Sequence, residues 1–275
     1  MKLLYILGTG HCGSTLLAML LNAHPRVFGM GEVVKLAVIA RGQIAGEDIS
    51  SPSFWREVDD RLRVRWHVGI RELSLRHAHW SAMEGWDESA RATWSRHNRW
   101  LLDAVSHTAH CEILVDGSKQ PARLEALLRW APDIDVRVVH LVRDGRAVIN
   151  SYLRKYGRPR QAFNAWLRPS LRAVSIRRRH PNVPWLRLRY EDLCARPVDE
   201  LRRLHSFVGV EPDALPPIAD AQKRYAGISG NRMRHRRLEG IRLDERWRHQ
   251  LPARWRALFT LVGTPLNGWY GYPVV

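Results

Sequence analysis

Apolar residues in this chain fall into two kinds of stretch. Some form short unbroken runs of strand length; in others they return every three or four positions, as on one face of a helix. Leu3 to Leu7 is the first run, closed by Gly8. Arg26-Val27-Phe28, Glu112 to Asp116, Val136 to Val142 and Pro184 to Tyr190 are the others. Unbroken runs suit strands buried on both faces of a parallel sheet. Helical spacing follows each run. Leu16, Leu17, Met19, Leu20 and Leu21 make the first helix, ended by His24-Pro25, and Val33, Val34, Leu36 and Val38 the next. Pro121 opens a helix through Leu124, Leu127, Leu128 and Trp130, and Ala147, Val148, Ser151 and Tyr152 lie on another. A basic helix covers Gln161 to His180, and Leu201, Leu204 and Phe207 mark one more. Pro212 to Pro217 reads as a linker and Gly227 to Arg237 as a flexible cationic loop. Asp244 to Val262 is helical, with Pro252 at a helix start and Gly263 at its end. The expected fold is a single α/β domain over 1–275, a P-loop-type central parallel β-sheet flanked by helices.

Residues 43 to 110 break the alternation. Ser50, Ser51 and Pro52 suit a helix start; Phe54, Val58, Leu62 and Trp66, then Trp94, Leu101 and Val105, recur at helical spacing. This helical insertion lies between two sheet strands, where it can line a pocket beside the sheet. Trp55, Trp66, Trp80, Trp86, Trp94 and Trp100 fall in it, either as core or as pocket lining. His67, His77, His79, His97, His107 and His110 show no metal-ligand spacing and are expected to be solvated.

The first run leads into Gly8-Thr9-Gly10-His11-Cys12-Gly13-Ser14-Thr15 and then a helix. A strand, a glycine turn and a helix N-terminus aim backbone N–H groups at one point, where the helix dipole adds positive charge. The spacing nearly matches the triphosphate loop G-x-x-x-x-G-K-[ST], but Ser14 stands where that loop has Lys. An anion smaller than a triphosphate fits better. The chain has 275 residues, 45% hydrophobic, with a net charge of +17, which calls for an anionic partner. Only five of its 44 basic residues are Lys, so part of the excess reflects composition.

Other candidates stand at strand ends. Glu32 follows Gly31 and can be a general base or the acidic residue of a helix's first turn. Asp116 can orient magnesium or cap its turn. Lys119, a rare lysine just past a strand, suits a developing anion. Arg143 ends the most β-branched run, and Ser151 lies two helical turns on; together they can grip a phosphate, or Arg143 or Arg146 can simply pair with Asp144. Cys12, Cys111 and Cys194 are few and widely spaced, which fits a reducing cytoplasm and argues against a zinc site. The apolar residues after Met1-Lys2 stop too soon for a signal peptide, and no run reaches the roughly 20 residues of a membrane span.

In order and spacing these pieces resemble the sulfotransferases that use 3′-phosphoadenosine 5′-phosphosulfate (PAPS), above all the branch with tyrosylprotein sulfotransferases and their bacterial relatives. Gly8 to Pro25 resembles the family's 5′-phosphosulfate loop, and Val138 to Ser151 its 3′-phosphate motif. Gly31-Glu32, Lys119-Gln120-Pro121, Tyr190-Glu191-Asp192 and Gly230 to Arg234 are weaker likenesses. The resemblance implies that Gly10, His11, Cys12, Gly13, Ser14, Thr15 and Leu16 hold the 5′-phosphosulfate, and that Arg143 and Ser151 hold the 3′-phosphate. Tyr190, Gly230, Asn231, Arg232 and Arg234 would complete the nucleotide site. Glu32 matches the general base and Lys119 the cationic stabiliser. His11 stands where the loop usually has Arg or Lys. The expected chemistry is sulfuryl transfer to a small-molecule or peptide acceptor, leaving adenosine 3′,5′-bisphosphate, without metal or nucleic acid. A P-loop kinase, with Asp116 and Thr15 as its metal-side groups, is the first rival. A basic nucleic-acid-binding protein is the second.

Overall fold

The computed structural model describes residues 1–44, 53–75, 85–213, 216–236 and 238–273. Five strands, β1 (Lys2–Gly8), β2 (Val27–Gly31), β3 (Ile113–Lys119), β4 (Asp135–Val142) and β5 (Trp185–Arg189), form one sheet in the order β2-β3-β1-β4-β5. Every pairing is parallel. β1 is central. From it the chain crosses first to the β2–β3 side and later to the β4–β5 side, so its carboxyl end is where open α/β sheets bind ligands.

Side chains alternate across β1 and separate two cores. Leu3, Tyr5 and Leu7 pack on the layer that holds α3 (Ser53–Trp66), α4 (Glu88–Ala109) and α5 (Pro121–Trp130). Leu4 and Ile6 pack against α1 (Ser14–Leu21), with Leu201 and Leu204 from the helix Pro197–Val208. A third core joins α6 (Gly145–Tyr156), α7 (Pro159–Arg179) and the C-terminal helix Ala253–Trp269 around Trp166 and Phe259. Among the described residues no helix is long and apolar enough to cross a membrane.

The insertion's described tryptophans serve packing. Trp55 and Trp94 are fully buried, Trp66 stacks on Trp100 at 5.6 Å and Trp86 on Trp130 at 5.5 Å. Trp80, His77, His79, Ser50, Ser51 and Pro52 lie outside the described residues. His97 is half-buried rather than solvated, because its Nδ1 accepts the Ser74 N–H at 2.9 Å.

Several boundaries differ from the sequence expectation. Val33 to Ala40 splits into a 3₁₀ turn (Val33–Lys35) and α2 (Leu36–Ala40). A helix, Ile218–Arg224, follows the 212–217 linker. Gly263 lies inside the C-terminal helix, not at its end, because the Phe259 ring fills the place of a side chain there. The described part of the Gly227 to Arg237 loop is tied down at its start: Ile228 N–H donates to Met30 O, and Ile228 O accepts from Glu32 N–H.

β3 also runs three residues past Asp116. Asp116 is fully buried; its Oδ2 accepts from Arg123 Nε at 2.8 Å and its Oδ1 from the Ser118 N–H. Arg123, 1% exposed, also donates to Leu75 O at 2.9 Å. This pair fixes the turn that presents Lys119, so Asp116 is the turn's brace. Arg123→Ala strands a buried carboxylate and is expected to cost about 3–5 kcal/mol, read as a lower urea midpoint.

Candidate active site

β1 delivers Gly8 into the glycine loop, and α1 starts at Ser14 with no side-chain cap. Its first N–H groups therefore lack both an intrahelical partner and a capping side chain. Gly13 takes φ 99° directly under the Tyr190 ring, where a Cβ would stand 2.3 Å from that ring. Gly10 is as tight, with the Tyr152 hydroxyl 2.2 Å from any Cβ. The loop faces a cleft of about 550 Å³.

Three further strand ends reach the same cleft. β2 brings Glu32 and β3 brings Lys119, joined by a 2.6 Å ion pair. Lys35 holds the other carboxylate oxygen, also at 2.6 Å. Burial pushes the Glu32 carboxyl up, but Lys119 and Lys35 outweigh it and leave the pKa below the ordinary glutamate value. Glu32 therefore joins two lysines and does not cap the turn that follows.

β4 brings Arg143, 7% exposed. Its Nη1 donates to His11 O at 2.9 Å, its Nη2 to Asp244 O at 3.0 Å, and its plane lies 4.5 Å over Tyr190. Its buried Nε finds no hydrogen-bond partner among the described residues. Asp144 pairs with Arg146, so the local ion pair forms without Arg143. Ser151 lines the cleft from α6, its hydroxyl donating to Ala147 O. Asn231 N–H donates to Thr15 Oγ1, which brings Gly230 and Asn231 against the loop.

Of the residues expected at the site, three do not line this cleft. Cys12 is fully buried beneath the loop, its thiol pushed up by burial. Arg232 is exposed outside the lining, and Arg234, also outside it, donates to Gly227 O. Others were missed. Lys35, Tyr152, Arg154, Lys155, Tyr156, Asp244 and Arg246 all line the cleft. One signal was present: Lys155 is one helical turn past Ser151, and Tyr156 one turn past Tyr152. Asp244 and Arg246 gave none.

His11 sits at positive φ (61°), edge-on to Tyr152 at 4.7 Å. Burial, then the charges of Lys155, Arg143 and Lys119, lower its pKa to about 4. It is neutral at pH 7, unlike the Arg or Lys it replaces. Among the described residues, no three His, Cys, Asp or Glu side chains group to hold a metal.

A parallel sheet whose central strand feeds a glycine loop and a helix N-terminus defines an α/β protein of the P-loop type. The particular family follows from comparison with known proteins: the model of the sulfotransferase family matches residues 4–214, and the chain belongs to that family. Human carbohydrate sulfotransferase 3 is 24% identical over 166 residues, 51% of this chain and 34% of that protein. Human carbohydrate sulfotransferase 6 is 28% identical over 151 residues, 44% of this chain and 38% of that protein. The chain thus matches little more than a third of these relatives' lengths. The fold is that of the sulfotransferase domain of the Synechococcus PCC 7002 olefin synthase (TM-score 0.64, 20% identity, all of this chain and 96% of that one). The sulfotransferase domain of the curacin biosynthetic pathway is similar (TM-score 0.60, 17% identity, 95% and 97%).

His11, His140 and His205 are held neutral, mainly by burial, with pKa values of about 4, about 3 and about 4. Unfolded, each titrates near 6.5, so below that pH the unfolded chain binds protons that the folded chain refuses. Stability is therefore expected to fall as pH drops from about 6.5 toward about 4. Urea unfolding across that range checks this. An NMR titration of His11 should show a midpoint near 4, moving upward when an anion fills the cleft.

Proposed function

We propose that the protein transfers the sulfuryl group of PAPS to an acceptor hydroxyl or amine by in-line displacement, releasing adenosine 3′,5′-bisphosphate. One observation carries the reading: Arg143, 132 residues from His11 in sequence, bonds to the glycine loop, and both open into the cleft that holds Glu32 and Lys119. In this reading the N–H groups and hydroxyls of Gly13, Ser14 and Thr15 hold the 5′-phosphosulfate. Arg143 holds the 3′-phosphate with Ser151, whose hydroxyl turns its proton away from Ala147. Tyr190 walls the nucleotide side.

Glu32 takes the acceptor's proton as the acceptor oxygen or nitrogen bonds to sulfur. The bond from sulfur to the bridging oxygen breaks, and its electrons leave with the bisphosphate. Lys119 shifts from Glu32 to the sulfuryl oxygens. That shift stabilises the spread charge and removes one of the two ammoniums that depress the Glu32 pKa. His11, neutral, donates a hydrogen bond to the bridging oxygen.

The helical insertion at 43–110 is on the acceptor side in this reading, as a support: Trp55 Nε1 donates to Ala226 O beside the segment that pairs with Gly31. Three free cysteines fit action in a reducing, cytoplasmic compartment. The kinase alternative loses its acid, because Asp116 is buried against Arg123 and away from the cleft.

A sulfation screen with labelled PAPS against phenols, sugars, alcohols, amines and tyrosine peptides, read by mass spectrometry, tests the activity. Glu32→Ala is expected to lower turnover by about 10²–10⁴ while retaining affinity for adenosine 3′,5′-bisphosphate. Near-normal turnover would remove Glu32 from the base role. Arg143→Ala is expected to weaken calorimetric binding of the bisphosphate by about 1.5–3 kcal/mol, with a much smaller effect on adenosine 5′-monophosphate.

A further inference from the structure

Six cationic side chains line the cleft: Lys35, Lys119, Arg143, Arg154, Lys155 and Arg246. Two carboxylates share it, and both are engaged. Glu32 is held by Lys119 and Lys35, and Asp244 by both arms of Arg246 at 2.7 and 2.8 Å. Arg154 and Lys155 have no carboxylate partner among the described residues. Lys155 lies 5.1 Å from the Tyr156 ring centre, and Tyr156 is 47% exposed.

The cleft is also where the rare lysines gather. Arginine outnumbers lysine 39 to 5 in the chain, yet Lys35, Lys119 and Lys155 all face this one space. Two of them bracket Glu32. The third projects from α6 one turn past Ser151, on the side where Tyr152 and Tyr156 meet His11. In the donor reading the nucleotide's charges are already met, by the loop, His11 and Lys119 at one end and by Arg143 and Ser151 at the other. Arg154 and Lys155 are surplus to it.

Resting on the sulfuryl-transfer reading above, we propose that the acceptor is itself an anion. It is a hydroxyl compound with a carboxylate or other acidic group near the hydroxyl; Lys155 and Arg154 take that group, and the acceptor's body lies on Tyr156. The negative group supplies the counter-charge that this corner of the cleft lacks. The aromatic face supplies contact area for a ring.

The test compares acceptor pairs that differ in one charge: 4-hydroxyphenylacetate against its methyl ester, and methyl glucuronide against methyl glucoside, at saturating PAPS. In each pair that yields product, the charged member is expected to have at least about tenfold higher kcat/KM, as for a charge-assisted hydrogen bond. Lys155→Gln and Arg154→Gln are expected to erase most of that preference by raising the acceptor KM, with the KM for PAPS and the thermal midpoint close to wild type. Three results overturn the proposal: equal or better use of the neutral members, no product from any of the four, or a Lys155→Gln defect that falls on the KM for PAPS. Calorimetry of the wild-type protein with adenosine 3′,5′-bisphosphate separates the two readings. If it binds, only the acceptor inference has failed; if it does not, the donor reading falls as well.

Discussion

Two glycines without room for a side chain hold the cleft together. Gly10 packs under the Tyr152 hydroxyl and Gly13 under the Tyr190 ring, each closer than a Cβ could tolerate. Tyr152 belongs to the helix that carries Ser151, and Tyr190 lies beneath the Arg143 guanidinium. Close approach at two loop positions therefore sets where a distant strand end and two helices stand. The central place of β1 in the sheet makes this possible: its neighbours β3 and β4 end beside the loop and deliver Lys119 and Arg143 from opposite sides. A bulkier residue at Gly10 or Gly13 would push those elements apart and widen the cleft. The anion site and the packing of the sheet's carboxyl edge are one constraint.

Much of this was legible in the chain because strong local patterns coincide with the sheet. The five apolar runs became the five strands, and the glycine turn, Glu32, Lys119, Arg143 and Ser151 all reached one cleft. What escaped was set by contacts between distant residues. Nothing local in Asp116 shows that Arg123 neutralises it inside the core, so a metal-side acid and a turn brace looked alike. Arg232 and Arg234 entered as site residues through the family likeness of Gly230 to Arg234, and neither is among the residues that line the cleft. Asp244 and Arg246 read as the start of a helix, but the helix begins at Trp247, and the segment before it folds back over Arg143 and brings them to the cleft. Gly263 failed as a helix stop for a similar reason: the Phe259 ring needs that space, and packing overrides the local tendency.

Among the described residues, no acid faces the cleft unpaired. Glu32 and Asp244 each lie against cations, and the Arg246 hydrogen bonds, foremost, draw the Asp244 pKa down to about 2. Asp244 also stands 3.6 Å from Arg143, so its carboxylate occupies part of the field into which an arriving phosphate must fit. Such internal pairs offset the repulsion among Lys35, Lys119, Arg143 and Arg246 while the cleft is empty of ligand. They also set a threshold: an anion displaces them only if it offers Arg143 and Lys119 more than Asp244 and Glu32 do.

His11 belongs to the same arrangement. A lysine or arginine there would add a charge beside Lys119, Arg143 and Lys155, where even the imidazole is driven neutral. With histidine the charge depends on what fills the cleft. Burial favours the neutral ring, which can still donate a hydrogen bond, and an anion against it raises the ring's affinity for a proton. Glu32 behaves in the opposite sense. Its two ammoniums make it a weak base until an incoming anion draws Lys119 away. In the sulfuryl-transfer reading both groups therefore respond to the same event, the arrival of negative charge between them.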